Sequence, residues 1–455
     1  MGEDDLETAL LTILREAGAA GGGAGLDGLR RLSGGASRET WALDLVEGER
    51  RQPLILQRLR PGAGASTTGI PITREAELLQ AAGAAGVRVA GVVASDDGTT
   101  LGSPGMVVER LDGETIARKL LRDDEWATAR GRLGTDVGTA LAGIHRLAAD
   151  VVPGLRHEDQ VEQYKGIVDM LGEPHPAFEL GFRYLEANRP VLNEPVLVHG
   201  DFRLGNLLVD HDGLAAVLDW ELAHVGDPLE DLGWFCVRAW RFGSPLPAGG
   251  VATREQLVTA YEAAGGKPVD RDALRWWELL GTLKWGVICI MQAWSHLSGA
   301  TRSMELATIG RRVCENEWDV LGLLPGAPLV AQAPTVVEPG PALHDRPHLA
   351  ELVDAVKGWV DDDVRPGTEG RLSFHARVAS NALAMVEREV AQGPGPAAAH
   401  AERLASLGCA DDRELAARIR AGDLDDRLEE VRGLVAASVH DKLVVANPGW
   451  LEADA

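Results

Sequence analysis

Residues 196–230 read VLVHGDFRLGNLLVDHDGLAAVLDWELAHVGDPLE, and polar side chains in this stretch stand between short apolar runs. The runs at residues 196–198, 206–209 and 215–220 are typical of buried strand ends. A turn at residues 210–213 separates the last two runs, so the pattern predicts a hairpin with polar groups at its ends. The expected fold is organised around this hairpin.

Three polar side chains of this stretch predict phosphoryl-transfer chemistry. Asp201 and Asn206 stand five residues apart, and Asp219 follows one hairpin later. Phosphoryl transfer needs a carboxylate that orients the attacking hydroxyl and accepts its proton, together with oxygen ligands that hold Mg²⁺ against the phosphates. We predict Asp201 for the first role, and Asn206 and Asp219 for the second. The alternative is a turn, a cap and a surface carboxylate that share one hairpin by chance.

The motif HGDFRLGN at residues 199–206, followed by LDWE at residues 218–221, resembles the aminoglycoside phosphotransferase superfamily. The longer pattern, which continues to GDPLEDLGW, is more similar to the kinase-like domains fused to some acyl-CoA dehydrogenases and to their stand-alone bacterial relatives. The resemblance covers roughly residues 25–325. It implies a two-lobed, protein-kinase-like α+β fold that uses ATP and Mg²⁺.

The resemblance places the nucleotide phosphates against a turn and a strand of the first lobe. The turn residues expected to cover the phosphates are Ser33, Gly34, Gly35 and Ser37. In the strand PLILQRL, residues 53–59, the expected phosphate-binding cation falls on Gln57, and Arg58 stands one place further along. Side chains alternate faces along a strand, so both cannot point into one cleft without a bulge. We predict Arg58 as the phosphate contact, with an exposed strand arginine as the alternative.

The resemblance also assigns residues that follow this strand. Glu75, in the predicted helix at residues 72–86, matches the acid that pairs with the strand cation, and Glu77 is the solvated alternative. A strand enters the segment between the lobes, where the backbone of Glu109 and Leu111 would bond the adenine.

Residues beside the catalytic hairpin have predicted supporting roles. Asp231 is expected to buttress the catalytic loop through buried hydrogen bonds, and His145, near a helix end, is expected to be structural. Glu221, two residues after the metal-binding Asp219, is a further candidate for contact with Mg²⁺ or water.

Composition limits the classes of partner. The chain has 455 residues, a net charge of −24 and a pI near 4.9, which argues against electrostatic attraction to nucleic acid or an anionic membrane. The four cysteines are scattered, which is typical of reduced core thiols in a cytoplasmic protein. The longest apolar stretch, residues 279–294, contains Lys284 and is short for a membrane span, so it predicts a buried helix.

The chain is expected to contain an N-lobe at residues 1–111 and a mostly helical C-lobe at residues 112–326. The proline-rich residues 327–347 predict a linker. Residues 348–455 show helical periodicity, predict a separate all-α domain, and resemble an uncharacterised bacterial domain often joined to such kinases.

Together these observations predict transfer of the γ-phosphoryl group of ATP to a hydroxyl of a small molecule. The fused relatives act on hydroxyacyl-CoA substrates, so a hydroxyacyl thioester is the first expected acceptor. An aminoglycoside or other antibiotic is the second, since an acidic surface suits a cationic drug. The competing class is a catalytically weak nucleotide-binding scaffold, in which Gln57 marks a lost phosphate contact. The oligomeric state stays open.

Overall fold

The computed structural model describes residues 2–32, 38–60, 69–331 and 346–452. The chain divides into two compact units. Unit 1 comprises Met1–Glu158 and Val191–Glu278, and unit 2 comprises Asp159–Pro190 and Leu279–Ala455.

Unit 1 begins with a five-stranded antiparallel sheet whose strand order is β1-β2-β3-β5-β4. Its elements are α1 (Glu3–Glu16), β1 (Gly25–Arg31), β2 (Arg38–Glu47), β3 (Arg50–Leu59), α2 (Ile72–Ala84), β4 (Val92–Asp96) and β5 (Gly105–Glu109). Apolar residues recur at every second position of β2 and at helical spacing in α1, so one face of the sheet packs on the helix. That core includes Leu6, Leu10, Leu14, Trp41, Leu43, Leu45, Leu54 and Leu56.

The register of β2 and β3 determines which polar side chains share a face. Glu39 lies opposite Arg58, and Thr40 lies opposite Gln57, with an unbroken register along both strands. Directly opposed residues point to the same side of a sheet. Arg58 therefore lies on the face that packs on α1, whereas Gln57 and Arg38 lie on the other face.

The remainder of unit 1 contains helices and two short strand pairs. Its elements are α3 (Ala117–Arg122), α4 (Ala127–His145), β6 (Val196–Val198), β7 (Leu207–Asp210), β8 (Gly213–Val217), β9 (His224–Gly226), α7 (Leu229–Cys236) and α8 (Arg254–Ala263). Strand β6 pairs with β9, and β7 pairs with β8. The predicted hairpin is therefore present as β7 and β8.

Unit 2 is helical. Its elements are α5 (Gln160–Leu171), α6 (Pro176–Ala187), the part of α9 (Arg271–Leu297) from Leu279 onward, α10 (Met304–Ile309), α11 (Val313–Leu323), α12 (Leu349–Trp359), α13 (Gly370–Gln392), α14 (Gly395–Ser406), α15 (Asp412–Ala421), α16 (Leu428–Ala446) and α17 (Gly449–Glu452). Among the described residues, none of the helices combines the length and the hydropathy that crossing a bilayer requires.

Ion pairs within unit 2 join helices from both sides of the predicted linker. Glu317 of α11 is buried and bonds Lys442 of α16 at 3.1 Å and His175 at 2.9 Å. Arg420 of α15 bonds Glu179 of α6 through Nε at 2.9 Å. The predicted boundaries at residues 327 and 347 stay a prediction, and residues 332–345 lie outside the described part of the chain.

Candidate active site

The catalytic loop follows directly from β6, whose last residue is Val198. Gly200 has φ of +80°, and a Cβ at this position would lie 2.4 Å from the Leu222 carbonyl oxygen, so the close approach of the two segments requires glycine. The next residue, Asp201, has only 15% of its side chain exposed. The sharp turn after the strand thus presents the predicted catalytic carboxylate at the strand end.

Three side chains hold the Asp201 carboxylate. Trp234 Nε1 donates to Oδ1 at 2.9 Å, and Asn206 Nδ2 donates to Oδ2 at 2.7 Å. Arg203 Nε lies 3.2 Å from both oxygens, and its guanidinium stands 5.1 Å from the centre of the Trp240 ring. These contacts fix the orientation of the Asp201 side chain, which is the geometric requirement for an acceptor of the substrate hydroxyl.

Asp231, in α7, accepts hydrogen bonds from the backbone of the loop that carries Asp201. Its Oδ2 accepts from the His199 backbone N–H at 2.7 Å, and its Oδ1 accepts from the Gly200 N–H at 2.9 Å. His145 Nε2 lies 3.1 Å from Oδ2. Burial alone would raise the pKa of Asp231, but the hydrogen bond and charge of His145, together with His199, lower it to about 2. These contacts match the predicted structural roles of Asp231 and His145.

His199 is fully buried and links the loop to the segment that carries Asp219. Its Nε2 donates to the Leu218 carbonyl oxygen at 3.0 Å, and its Nδ1 accepts from the Asp201 N–H at 3.3 Å. These partners fit the neutral ring, and burial lowers the pKa of His199, which keeps it neutral.

The two predicted metal ligands are brought together by the backbone. The Leu218 N–H donates to the Asn206 carbonyl oxygen at 2.8 Å. Asp219 directly follows Leu218, so this bond holds the backbone of Asp219 close to Asn206. The Asn206 amide nitrogen donates to Asp201, which leaves Oδ1 as the atom suited to a cation. Asp219 has φ of 62°, a left-handed conformation that is uncommon for a residue other than glycine and that marks functional sites.

The site contains more carboxylates than cations. Burial raises the pKa of Asp219, and repulsion from Glu221 and Asp201 adds to the effect. Burial likewise raises the pKa of Glu221 and of Glu75, although Arg38 opposes the rise in both. In the described residues no group of three or more His, Cys, Asp or Glu side chains surrounds a metal position. Two oxygen ligands beside surplus negative charge nevertheless suit Mg²⁺, which takes its other ligands from phosphate and water.

The predicted pairing of Arg58 with Glu75 is wrong. Arg58 is buried on the α1 face of the sheet, where its Nε donates to Glu39 Oε2 at 3.0 Å, so it cannot be the predicted phosphate contact. Glu75 instead bonds Arg38 of β2 at 2.6 Å. The alternation of side chains along β3 explains the difference, because Gln57 occupies the face that Arg58 does not.

Arg38 also reaches the segment that carries Asp219. Its Nη2 lies 3.1 Å from Glu221 Oε2, and its side chain is 11% exposed. The Trp220 N–H donates to the Glu75 carboxylate, and the Ile70 N–H donates to the Glu221 carbonyl oxygen at 2.8 Å. Glu221 is thus an ion-pair partner in the site. Strand β2, helix α2 and the Asp219 segment meet at this guanidinium.

The other predicted nucleotide contacts are partly described. The turn of Ser33, Gly34, Gly35 and Ser37 lies outside the described residues. Glu109 ends β5, and its N–H donates to the Gly91 carbonyl oxygen at 2.8 Å. Leu111 follows in an exposed position. Their adenine contacts stay a prediction.

Sequence reasoning missed three residues of the site, namely Arg38, Arg203 and Trp234. Trp234 stands three residues after Asp231 in α7, a spacing that places both on one helix face. The position of Trp234 beside the loop could therefore have been predicted from the sequence. Arg38 and Gln57 share a face only through the pairing of β2 with β3, which no local pattern records.

A five-stranded antiparallel sheet followed by helices and a short hairpin that brings Asp201, Asn206 and Asp219 together is typical of a kinase-like phosphotransferase. The family model described as "Phosphotransferase enzyme family" matches residues 28–277, more than half of the chain, and the chain belongs to this family. A second model, "Domain of unknown function (DUF6285)", matches residues 366–450. These matches confirm both predicted resemblances.

Individual relatives agree with this assignment. Acyl-CoA dehydrogenase family member 10 of Mus musculus is 26% identical over 234 residues, which cover 48% of this chain and 21% of that protein. Member 11 of Homo sapiens is 36% identical over 97 residues, 19% of this chain and 12% of that protein. The chain therefore spans a minor part of the curated relatives it matches.

A solved structure confirms the predicted fold class. A protein assigned as an aminoglycoside phosphotransferase from Ralstonia eutropha JMP134 superposes with a TM-score of 0.55 at 22% identity. The match covers 69% of this chain and 97% of that one, and at this identity it shows a shared fold.

Proposed function

We propose that this chain transfers the γ-phosphoryl group of ATP to a hydroxyl group of a small molecule, in a reaction that depends on Mg²⁺. The observation that carries the proposal is the Asp201 carboxylate, held by Trp234 and Asn206 at the end of β6. A phosphotransferase needs such a group to orient the attacking hydroxyl.

In this proposal, individual residues of the chain have separate roles in the reaction. Asp201 accepts a hydrogen bond from the acceptor hydroxyl and takes its proton as that oxygen bonds to the γ-phosphorus. The bond from the γ-phosphorus to the bridging oxygen breaks, and ADP leaves with the electron pair. Asn206 and Asp219 would hold Mg²⁺, which offsets the negative charge of the phosphates when bound. His199 and Asp231 keep the loop in one conformation, so the carboxylate need not reorganise.

A hydroxyacyl-CoA is the first proposed acceptor. The similarity to members 10 and 11 of the acyl-CoA dehydrogenase family supports this choice. An aminoglycoside is the second, and the net charge of −24 favours the approach of a cationic acceptor. The four buried free cysteines support a cytoplasmic location as part of the same proposal.

The test compares the wild type with Asp201→Asn in a phosphate-transfer screen over hydroxyacyl-CoAs and aminoglycosides with Mg-ATP. The substitution keeps the shape of the side chain and one acceptor oxygen while removing the base. A positioned general base contributes about 10²–10⁴-fold, so we expect a loss of that size with little change in Mg-ATP affinity. Asp212→Asn, in the exposed turn between β7 and β8, is the matched control.

Two outcomes contradict the proposal. Equal transfer rates in wild type and Asp201→Asn would remove the catalytic role of Asp201. A wild type that binds Mg-ATP and transfers phosphate to none of the acceptors would favour the scaffold class instead.

A further inference from the structure

On the face of β3 that carries Gln57, the position opposite Thr40 lacks a cation. Gln57 occupies this face, and Arg58 lies on the opposite one. Residues 1–118 contain no lysine, so any positive side chain that the sheet offers to phosphates is an arginine. With neutral Gln57 at this place, a positive side chain that contacts the phosphates has to come from elsewhere in the protein.

Arg38, on the neighbouring strand, supplies a positive charge on the same face of the sheet as Gln57. It stands on β2 two residues before Thr40, which is opposite Gln57, so Arg38 and Gln57 are diagonal neighbours on one face. Glu75 and Glu221 each form an ion pair with its Nη2 atom, at 2.6 and 3.1 Å. Within the part of the chain that the structure describes, its Nε is buried without a hydrogen-bond partner. A buried donor of this kind is costly unless a ligand or neighbouring group accepts from it.

We propose that Arg38 is the phosphate-positioning cation of this site, held by Glu75 and Glu221 beside the metal-binding Asp219. The inference rests on the proposed function. It assigns the phosphate contact to a residue of β2, whereas the family resemblance placed this contact on β3.

The chemistry of the guanidinium suits the role. Arginine offers five N–H donors in a planar fork, so it can keep its carboxylate partners and still donate to a phosphate oxygen. Lysine is a compact point charge, and it would not span Glu75 and Glu221 in the same way. The two acids fix the direction of the fork, which lowers the ordering cost of phosphate binding.

The test measures how strongly the protein prefers Mg-ATP to adenosine, because both contain the adenine and the ribose but only one has phosphates. Binding of each is followed by calorimetry or competition for wild type, Arg38→Gln and Arg31→Gln. Arg31 pairs with Glu39 on the α1 face and is half exposed, so Arg31→Gln removes the same charge away from the site. We expect the preference for Mg-ATP to fall about 10- to 100-fold in Arg38→Gln, the size of a charge-assisted hydrogen bond, and to stay unchanged in Arg31→Gln.

A second variant tests the assignment if Arg38→Gln weakens the fold. In Arg38→Gln/Gln57→Lys the cation moves to the neighbouring strand on the same face, and we expect part of the preference for Mg-ATP to return. A preference equal to that of wild type in Arg38→Gln would overturn the inference. Equal weakening of Mg-ATP and adenosine, without recovery in the double variant, would also overturn it, because a structural role affects both ligands. A wild type without preference for Mg-ATP would instead contradict the proposed function.

Discussion

Asp231→Asn tests whether one buried carboxylate holds the catalytic loop. The carboxylate accepts from the backbone N–H groups of His199 and Gly200, and His145 bonds it from α4. Asparagine offers one acceptor oxygen, and its NH₂ group would face one of these two backbone N–H groups in place of the second carboxylate oxygen. A buried backbone N–H left without an acceptor costs about 1–3 kcal/mol. We therefore expect the free energy of unfolding to fall by that amount.

Urea denaturation followed by tryptophan fluorescence measures this change. With a urea dependence of about 3 kcal/mol per M, a loss of about 1–3 kcal/mol lowers the midpoint by roughly 0.3–1 M. Asp212→Asn, at an exposed turn, should stay within about 0.5 kcal/mol of wild type. A midpoint for Asp231→Asn within about 0.2 M of wild type would refute the reasoning. Because the pKa of Asp231 is lowered to about 2, its contribution is present above the ordinary carboxyl pKa and is lost as the pH falls from about 4 toward 2.

Three further predictions concern the metal site and the packing of unit 1. Asp219→Ala should abolish the Mg²⁺ dependence of ATP binding in calorimetry, and unchanged metal dependence would contradict the ligand assignment. Because the pKa of Asp219 is raised, protons should compete with Mg²⁺ at a higher pH than for an ordinary carboxyl. Mg²⁺ titrations from pH 8 down to pH 5 should show weakening affinity, and a flat profile would argue against Asp219 as a ligand. Gly138→Ala should lower the free energy of unfolding by about 1–3 kcal/mol, because the new Cβ would lie 2.7 Å from Ala260 Cβ and Tyr261 N. Thermal unfolding measures this change, and an unchanged melting temperature would show that α4 and α8 can separate without cost.

Local patterns were sufficient to predict the hairpin of β7 and β8 and the grouping of the candidate residues around it. Asp201, Asn206 and Asp219 lie on one short stretch, so their spacing already limits where they can meet. The buried aspartate of α7 was also predictable, because helix periodicity and a neighbouring apolar run mark it as internal.

The place of Arg38 in the site was not predictable from a local pattern. Arg38, Glu75 and Glu221 are far apart in the sequence and meet only after β2 pairs with β3 and α2 packs beside them. Alternation within a single strand gives two faces without saying which one the site uses. The choice of Arg58 over Gln57 failed for that reason, since the face of β3 is decided by the packing of the sheet on α1.

The arginine on β2 has a practical consequence for chemical labelling. Nucleotide analogues that carry an acylating group mark binding sites by reacting with a side-chain amine near the phosphates. A guanidinium stays protonated at any physiological pH and is a poor nucleophile. Since residues 1–118 contain no lysine, such reagents would leave the sheet of unit 1 unmodified even when its site is intact and occupied.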